Sequence, residues 1–214
     1  MTQRTRTKKK AEVSDKKLFS LEIGSKIKEV KLEKKLETRD KANQVIKAKL
    51  IGDKVVSSDK NARDLQGKSR FGEIIEGKIS YPLTEALYLL EKGRLTITNK
   101  GKKLSFDKFL EIVRDLEPNF YTKFCVFRDM RNRGYIVKTA LKFGADFRVY
   151  DRGIKPGEDH AKWVLFPVHE SSILTWHDFA AKNRVAHSTK KKLLIGIVDE
   201  EGDVTYYQIE WTRP

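Results

Sequence analysis

The chain has 214 residues, enough for one large domain or two small ones. Its formal net charge of +15, with 35 % charged and 39 % hydrophobic residues, points to a polyanionic partner. Nucleic acid stands ahead of an anionic membrane surface, because no basic amphipathic helix with an aromatic face is visible. One cysteine excludes an internal disulfide and a cysteine-based zinc site, and the longest apolar runs fall far short of the ~20 residues of a membrane helix.

Residues 1–45 carry 14 basic and 7 acidic side chains, nearly half the net charge in under a quarter of the chain. The opening "MTQRTRTKKK" has no apolar periodicity, and the extension is expected to be disordered and basic. It lacks the apolar segment of a signal peptide, so a cytoplasmic, reducing location and no membrane association are expected. From residue 46 the signals sharpen. "IKAKLIGDKVVSS" predicts strand, turn and strand about Gly52-Asp53, and "GEIIEGKIS" predicts a second strand pair. "TEALYLLEKG" predicts a helix capped by Thr84 and stopped at Gly93, with Leu83, Ala86, Leu87 and Leu90 on its apolar face. "RLTIT" predicts a strand. "SFDKFLEIVRDL" predicts a helix capped by Ser105, with Phe106, Phe109, Leu110 and Val113 inward. These elements make a small α+β domain over 46–119, with a boundary near Pro118.

The second domain, 120–214, opens with a helix over "NFYTKFCVFRDMRNRG", in which Cys125 reads as a small buried hydrophobe. "YIVKTA" and "DFRVYDRG" read as strands joined by a sharp turn at Gly144. "AKWVLFPVHE" is a third strand, "LTWHDFAAKNRVAHS" contains a helix, and "KLLIGIVDEEGDVTYYQIEW" is a hairpin. Strands faced by helices give an α/β domain with a mixed central sheet, so the fold class is a two-domain α+β and α/β chain.

Four histidines occur. His169 and His177 have no companions of note, and His187 in "RVAHS" reads as a packing or capping residue. His160 lies in a Gly/Pro loop between two strands, where a side chain can meet a substrate. Tyr150 ends the preceding strand, and Lys190, Lys191 and Lys192 crowd the start of a later, apolar one. A hydroxyl, an imidazole and a fixed cation at one sheet end are the kit for metal-free RNA cleavage. Imidazole, with an ordinary pKa of about 6.5, suits the proton donor, and an ammonium suits a crowded phosphorane. A phenol becomes a useful base beside cations, and the lysines supply them. The pattern by itself is weak, since many α/β domains carry these residue types near strand ends.

"RGYIVKTALKFGADFRVYDRG", "DHAKWVLFPVHE" and "RVAHSTKKKLLIGIVDEEGDVTYYQIEW" resemble, in order, the archaeal tRNA-splicing endonucleases, and "YPLTEALYLLEKGRL" resembles their N-terminal domain. The resemblance covers roughly residues 46–214. It implies a nuclease-like catalytic domain that cuts precursor tRNA at bulge–helix–bulge junctions without metal or other cofactor. The products would carry 2′,3′-cyclic phosphate and 5′-hydroxyl ends. It implies Tyr150 as base, His160 as acid and Lys191 as the electrostatic residue. The family's "HSVRKKLL" becomes "HSTKKKLL" here, so the lysine register is the open point. It also implies that Arg184 clamps a bulged base, with Lys190 and Lys192 facing the RNA backbone.

Asp199, Glu200, Glu201 and Asp203 surround Gly202 in a turn, which by itself reads as a plain charged hairpin. The resemblance implies that this acidic loop docks into a basic cleft of a partner dimer and that "TYYQIEW" is a subunit-pairing edge, giving a homotetramer. Two other readings remain. A metal-dependent nuclease would draw on Asp146 and Glu158, but the second strand lacks the Glu-x-Lys such sites use. A non-catalytic RNA-binding subunit of the same complex has no need of Tyr150, His160 and the lysines.

Overall fold

The computed structural model describes residues 45–212. The basic extension expected over 1–45 lies outside them, except for Val45.

The first sheet is built from β1 (Ile46–Ile51), β2 (Lys54–Ser57), β3 (Glu73–Ile75), β4 (Lys78–Tyr81), β5 (Leu95–Asn99) and β6 (Lys102–Lys103). Its order is β3-β4-β2-β1-β5-β6; only the β1–β5 pair is parallel. Three helices accompany it: α1 (Lys60–Ser69), α2 (Leu83–Glu91) and α3 (Phe106–Leu116). The second sheet holds β7 (Ile136–Thr139), β8 (Phe147–Tyr150), β9 (Trp163–His169), β10 (Lys192–Val198) and β11 (Val204–Ile209), in the order β11-β10-β9-β8-β7. β9 and β10 are parallel and the other pairs antiparallel, so the sheet is mixed, as expected. Helix α4 (Phe120–Asn132) packs on one face, and α5 (Trp176–Ser188) makes the crossover from β9 to β10 on the other.

Two local expectations need correction. Thr84 does not cap α2: the N-cap position is Pro82, with no side-chain cap, and Thr84 is buried in the first helical turn. Proline lacks the N–H that would continue β4 and is preset at φ −54°, so the helix starts two residues earlier. Leu89, absent from the expected apolar face, is fully buried, while Leu83 and Leu90 are only half-buried. Helix α1 was not expected at all. Its apolar content is thin, with only Ala62 and Leu65 buried, and it relies on Asp59, whose carboxylate accepts from Asn61 N at 3.0 Å. Ser105 caps α3 as anticipated, accepting from Lys108 N at 3.3 Å.

A continuous core runs from Val55, Leu87 and Phe109 through Phe120, Phe124 and Phe127 of α4 to Val149 and Leu165 of the second sheet. Cys125 is buried within it. α4 lies so close to β10 that a Cβ at Gly196 would meet Val126 Cγ2 at 3.1 Å. The other face of the second sheet packs Val164, Phe166, Leu193 and Ile195 against Ala186 of α5. Among the described residues, no helix is long and apolar enough to cross a membrane.

An ion pair sealed from water joins the two halves. Lys138 on β7 reaches Glu85 on α2 at 2.7 Å, with side chains only 6 % and 2 % exposed. The ammonium also donates to the Arg70 and Gly72 carbonyls at 2.9 and 3.2 Å, so all three protons are used. The second oxygen of Glu85 accepts from Gly72 N. A buried pair so fully satisfied is costly to break from one side, because the remaining charge is stranded. Lys138→Met is therefore expected to lower unfolding stability by ~3–5 kcal/mol in denaturant titrations, and an unchanged midpoint would contradict this account.

Candidate active site

The end of the second sheet where β8 stops and β9 and β10 start is laced by two backbone hydrogen bonds. Lys162 N donates to Val149 O at 2.9 Å, and Lys192 N donates to Lys162 O at 3.0 Å. Val149 pairs with Trp163 on β9, and Trp163 pairs with Lys192 on β10. One step outward along both registers, Tyr150, Lys162 and Lys191 form a row across three adjacent strands. With strands ~4.8 Å apart, the backbones of Tyr150 and Lys191 stand ~10 Å from each other, one strand between them. Side chains alternate along a strand, so this row shares the α5 face with Val164, Leu193 and Ile195.

The junction between α5 and β10 settles which lysine occupies the row. Thr189 closes the helix, and Lys190 adopts the left-handed conformation, φ +54°. Lys190 N donates to His187 O at 3.0 Å, and Lys191 N to Ala186 O at 2.9 Å, the paired bonds of a Schellman motif. The three lysines thus diverge. Lys190 is exposed on the turn. Lys191 is half-buried at the helix C-terminus, where its ammonium donates to Thr189 O at 2.9 Å. Lys192 starts β10 and pairs with Glu210, whose carboxyl its hydrogen bond holds below the usual range. The like charges are tolerable because they part at once and because a helix C-terminus favours cations.

Tyr150 is only 4 % exposed, and the guanidinium of Arg148, two residues before it on β8, lies 5.9 Å from its ring centroid. His160 is exposed on the loop between β8 and β9, two residues before the row. Its N–H donates to the neighbouring Asp159 carboxylate at 2.6 Å. Asp151, next to Tyr150, pairs with Lys162 at 2.6 Å, and that bond holds the Asp151 carboxyl below its ordinary range. Arg184 is exposed on α5, one and a half turns before the lysine junction.

Beside the row a cavity of about 470 Å³ is lined by Lys162, Asn183, His187, Lys190, Lys191 and Trp211, among others. Tyr150 and His160 are not among its lining residues, so the cavity adjoins the row on the β10 side. Lys162 and Trp211 escaped the sequence reading. Trp211, 60 % exposed, has its ring 5.1 Å from that of His187, which gives that histidine a packing partner. A larger hollow, about 640 Å³, is lined in part by Lys54, Leu83, Lys123, Lys142 and Arg148 and by none of Tyr150, His160, Lys190, Lys191 and Lys192.

The acidic residues form the β10–β11 turn. Gly202 (φ +85°) is buried beneath the turn, where a Cβ would meet Cys125 Sγ at 3.4 Å. Asp203 N donates to the Asp199 carboxylate at 2.8 Å, while Glu200, Glu201 and Asp203 are exposed. β11 is an edge strand, with Tyr207 55 % exposed. The carboxylates considered for a metal are engaged otherwise. Asp146 pairs with Lys123 at 2.8 Å, and Glu158 accepts from Lys155 N at 3.2 Å. Among the described residues no three His, Cys, Asp or Glu side chains gather as a metal site.

Comparison with known proteins assigns the lineage. The family profile described as tRNA intron endonuclease, catalytic C-terminal domain, matches residues 120–206, and that of the N-terminal domain matches residues 46–110. The tRNA-splicing endonuclease of Thermococcus kodakarensis is 43 % identical over 165 residues, 77 % of this chain and 96 % of that protein. That of Methanothermobacter thermautotrophicus is 41 % identical over 166 residues, 77 % and 96 %. That of Nanoarchaeum equitans is 44 % identical over 139 residues, 62 % and 89 %. With both of its profiles matched in order and relatives this similar along nearly their whole length, the chain belongs to the tRNA intron endonuclease family.

Proposed function

We propose that this chain cuts precursor tRNA at bulge–helix–bulge exon–intron junctions by metal-independent transesterification. The observation that carries the reading is the single row that holds Tyr150 and Lys191 on one sheet face, with the His160 loop entering at the same end. In this reading Tyr150 removes the proton of the 2′-hydroxyl as its oxygen attacks the adjacent phosphorus. His160 gives a proton to the departing 5′-oxygen. Lys191 faces the phosphorane, where a fixed ammonium acts on charge that develops only in the transition state. The bond to the 5′-oxygen breaks as the 2′-oxygen bond forms, leaving a 2′,3′-cyclic phosphate and a 5′-hydroxyl. That stoichiometry makes the enzyme a phosphorus–oxygen lyase working on a cytoplasmic RNA. Arg184, exposed on α5, offers a guanidinium plane for an extruded base.

The same reading extends to assembly. The exposed carboxylates of Glu200, Glu201 and Asp203, on a turn anchored by Gly202, form a rigid acidic knob suited to a basic recess on another copy. The exposed edge of β11 offers unpaired backbone groups to a second strand. Together they support a homotetramer with two cutting sites at a fixed separation.

Single-turnover cleavage of a labelled precursor tRNA in EDTA tests the chemistry. His160→Ala is expected to lose ~10²-fold or more in rate, with cyclic phosphate ends on the parent's products; a fully active variant would remove His160 from the mechanism. Lys190→Ala is expected to reduce the slope of log affinity against log salt by ~0.7–0.9. Lys192→Ala, whose ammonium already pairs with Glu210, should change it less. Equal slopes in the two variants would contradict this division. Glu200→Lys with Glu201→Lys is expected to halve the assembly's mass in sedimentation equilibrium, and a persistent tetramer would exclude the knob.

A further inference from the structure

His160 stands on an irregular segment that leaves the sheet after Tyr150 and returns at Trp163. Gly153 (φ +84°) and Gly157 (φ +96°) give it its bends. Its internal ties are short. Ile154 N donates to Asp151 O at 3.1 Å, Glu158 N to Lys155 O at 3.0 Å, and Lys155 N to the Glu158 carboxylate at 3.2 Å. Each closes a single turn, and none spans the segment. Two contacts do span it, both at its neck: Lys162 N to Val149 O, and the Asp151–Lys162 ion pair at 2.6 Å.

We propose that the Asp151–Lys162 ion pair is a clasp that closes the His160 loop at its neck and holds the imidazole at its working position. The inference rests on the reading of His160 as the proton donor. Among the described residues no hydrogen bond holds the imidazole itself; the bond of His160 is made by its backbone N–H to the adjacent Asp159. The ring is therefore placed by the loop's backbone, which is held by its neck and, beside it, by the Arg152 guanidinium 4.9 Å from the Tyr135 ring centroid. Asp151 is built into that neck twice, since its other carboxylate oxygen accepts from Arg152 N at 3.0 Å. Lys162 is equally fixed, because its N–H and C=O are the bonds that lace β8 to β9 and β9 to β10. Its ammonium also lies 4.4 Å from the Trp163 ring centroid.

Charge gives a second argument. A carboxylate directly after Tyr150 repels a phosphate backbone unless a cation neutralises it, and Lys162 does so. The side chains are 45 % and 42 % exposed, so the pair contributes little to global stability. Its effect is local: it fixes the span of the loop. Asp151 and Lys162 are positioning residues, neither of which touches the reacting atoms in this scheme.

The sign of one substitution separates the clasp from simple electrostatics. Removing a negative charge beside a polyanion site strengthens binding and speeds the reaction if field alone matters. The clasp requires the opposite. Single-turnover cleavage in EDTA, with precursor tRNA at saturating enzyme, compares the parent with Asp151→Asn, Lys162→Met, the swap Asp151→Lys with Lys162→Asp, and His160→Ala. Both single variants are expected to fall roughly tenfold or more, within the ~10²-fold that an ångström of misplacement costs. Their melting temperature should change little, and saturating enzyme keeps the change in tRNA affinity that each lost charge brings out of the measured rate. Amides of the segment should exchange faster with solvent, and the swap should recover most of the rate and protection. Asp151→Asn cleaving at or above the parent's rate, or a swap no better than the singles, overturns the clasp. If His160→Ala cleaves as the parent does, the reading of His160 falls and the clasp with it. If His160→Ala is inactive while Asp151→Asn is unimpaired, the clasp alone falls.

Discussion

Two backbone hydrogen bonds, from Lys162 N to Val149 O and from Lys192 N to Lys162 O, set the geometry on which the proposed chemistry depends. They belong to different ladders, one antiparallel and one parallel, that meet on β9. A mixed sheet is needed for this meeting: β8 must end where β9 and β10 begin. The antiparallel pair brings a strand's last residue to that edge, and the parallel pair brings a first residue. Slip in either register would send Tyr150 or Lys191 to the opposite face, because side chains alternate. α4 guards against slip from one side by fitting Val126 against Gly196, and α5 from the other through Ala186.

Charge is managed by separation. The chain concentrates lysines at 190–192, yet the helix-to-strand junction sends each a different way. One sits on the turn, one over the helix's terminal carbonyls, and one against Glu210. Elsewhere, two lysines withdrawn from water are matched by carboxylates. Glu85–Lys138 is sealed with every proton used. Lys123 is partly buried, which works against its charge, but hydrogen bonds to Asp146 and Glu117 outweigh that and keep its pKa above the usual value. The net positive charge thus remains at the surface, where a polyanion can meet it.

Much of the fold was legible because its signals are local. Ser105 capped its helix, Gly93 and Gly134 took the left-handed conformations that end theirs, Gly144 took one in the β7–β8 connection, and the apolar run with its acidic turn about Gly202 gave the final hairpin. α1 was not legible, since Ala62 and Leu65 are too few to show a period and Asp59 resembles any loop aspartate. Thr84 misled because a threonine just ahead of an apolar-periodic run reads as a cap, although Pro82, two residues before it, takes the position. For the site, residue types and order marked Tyr150, His160 and the lysines, but not which lysine. The Schellman bonds that fix Lys191 depend on where α5 ends, and Thr189 and Lys190 give no glycine to mark it. Lys162 was invisible for a different reason: its partner Asp151 lies across a loop whose closure no local pattern encodes.

The parallel pairing of β9 with β10 has a temporal side. Antiparallel neighbours such as β7 and β8 form across a short turn, whereas β10 can reach β9 only after the whole of α5 has folded back over the sheet. Long-range parallel contacts are the slow ones in folding. Because the row lacks Lys191 until that pairing is made, a partly folded or partly synthesised chain carries the other residues without the assembled row. The same topology that arranges the row thus also delays it, so that the proposed constellation is complete only once α5 and β10 have folded onto the sheet.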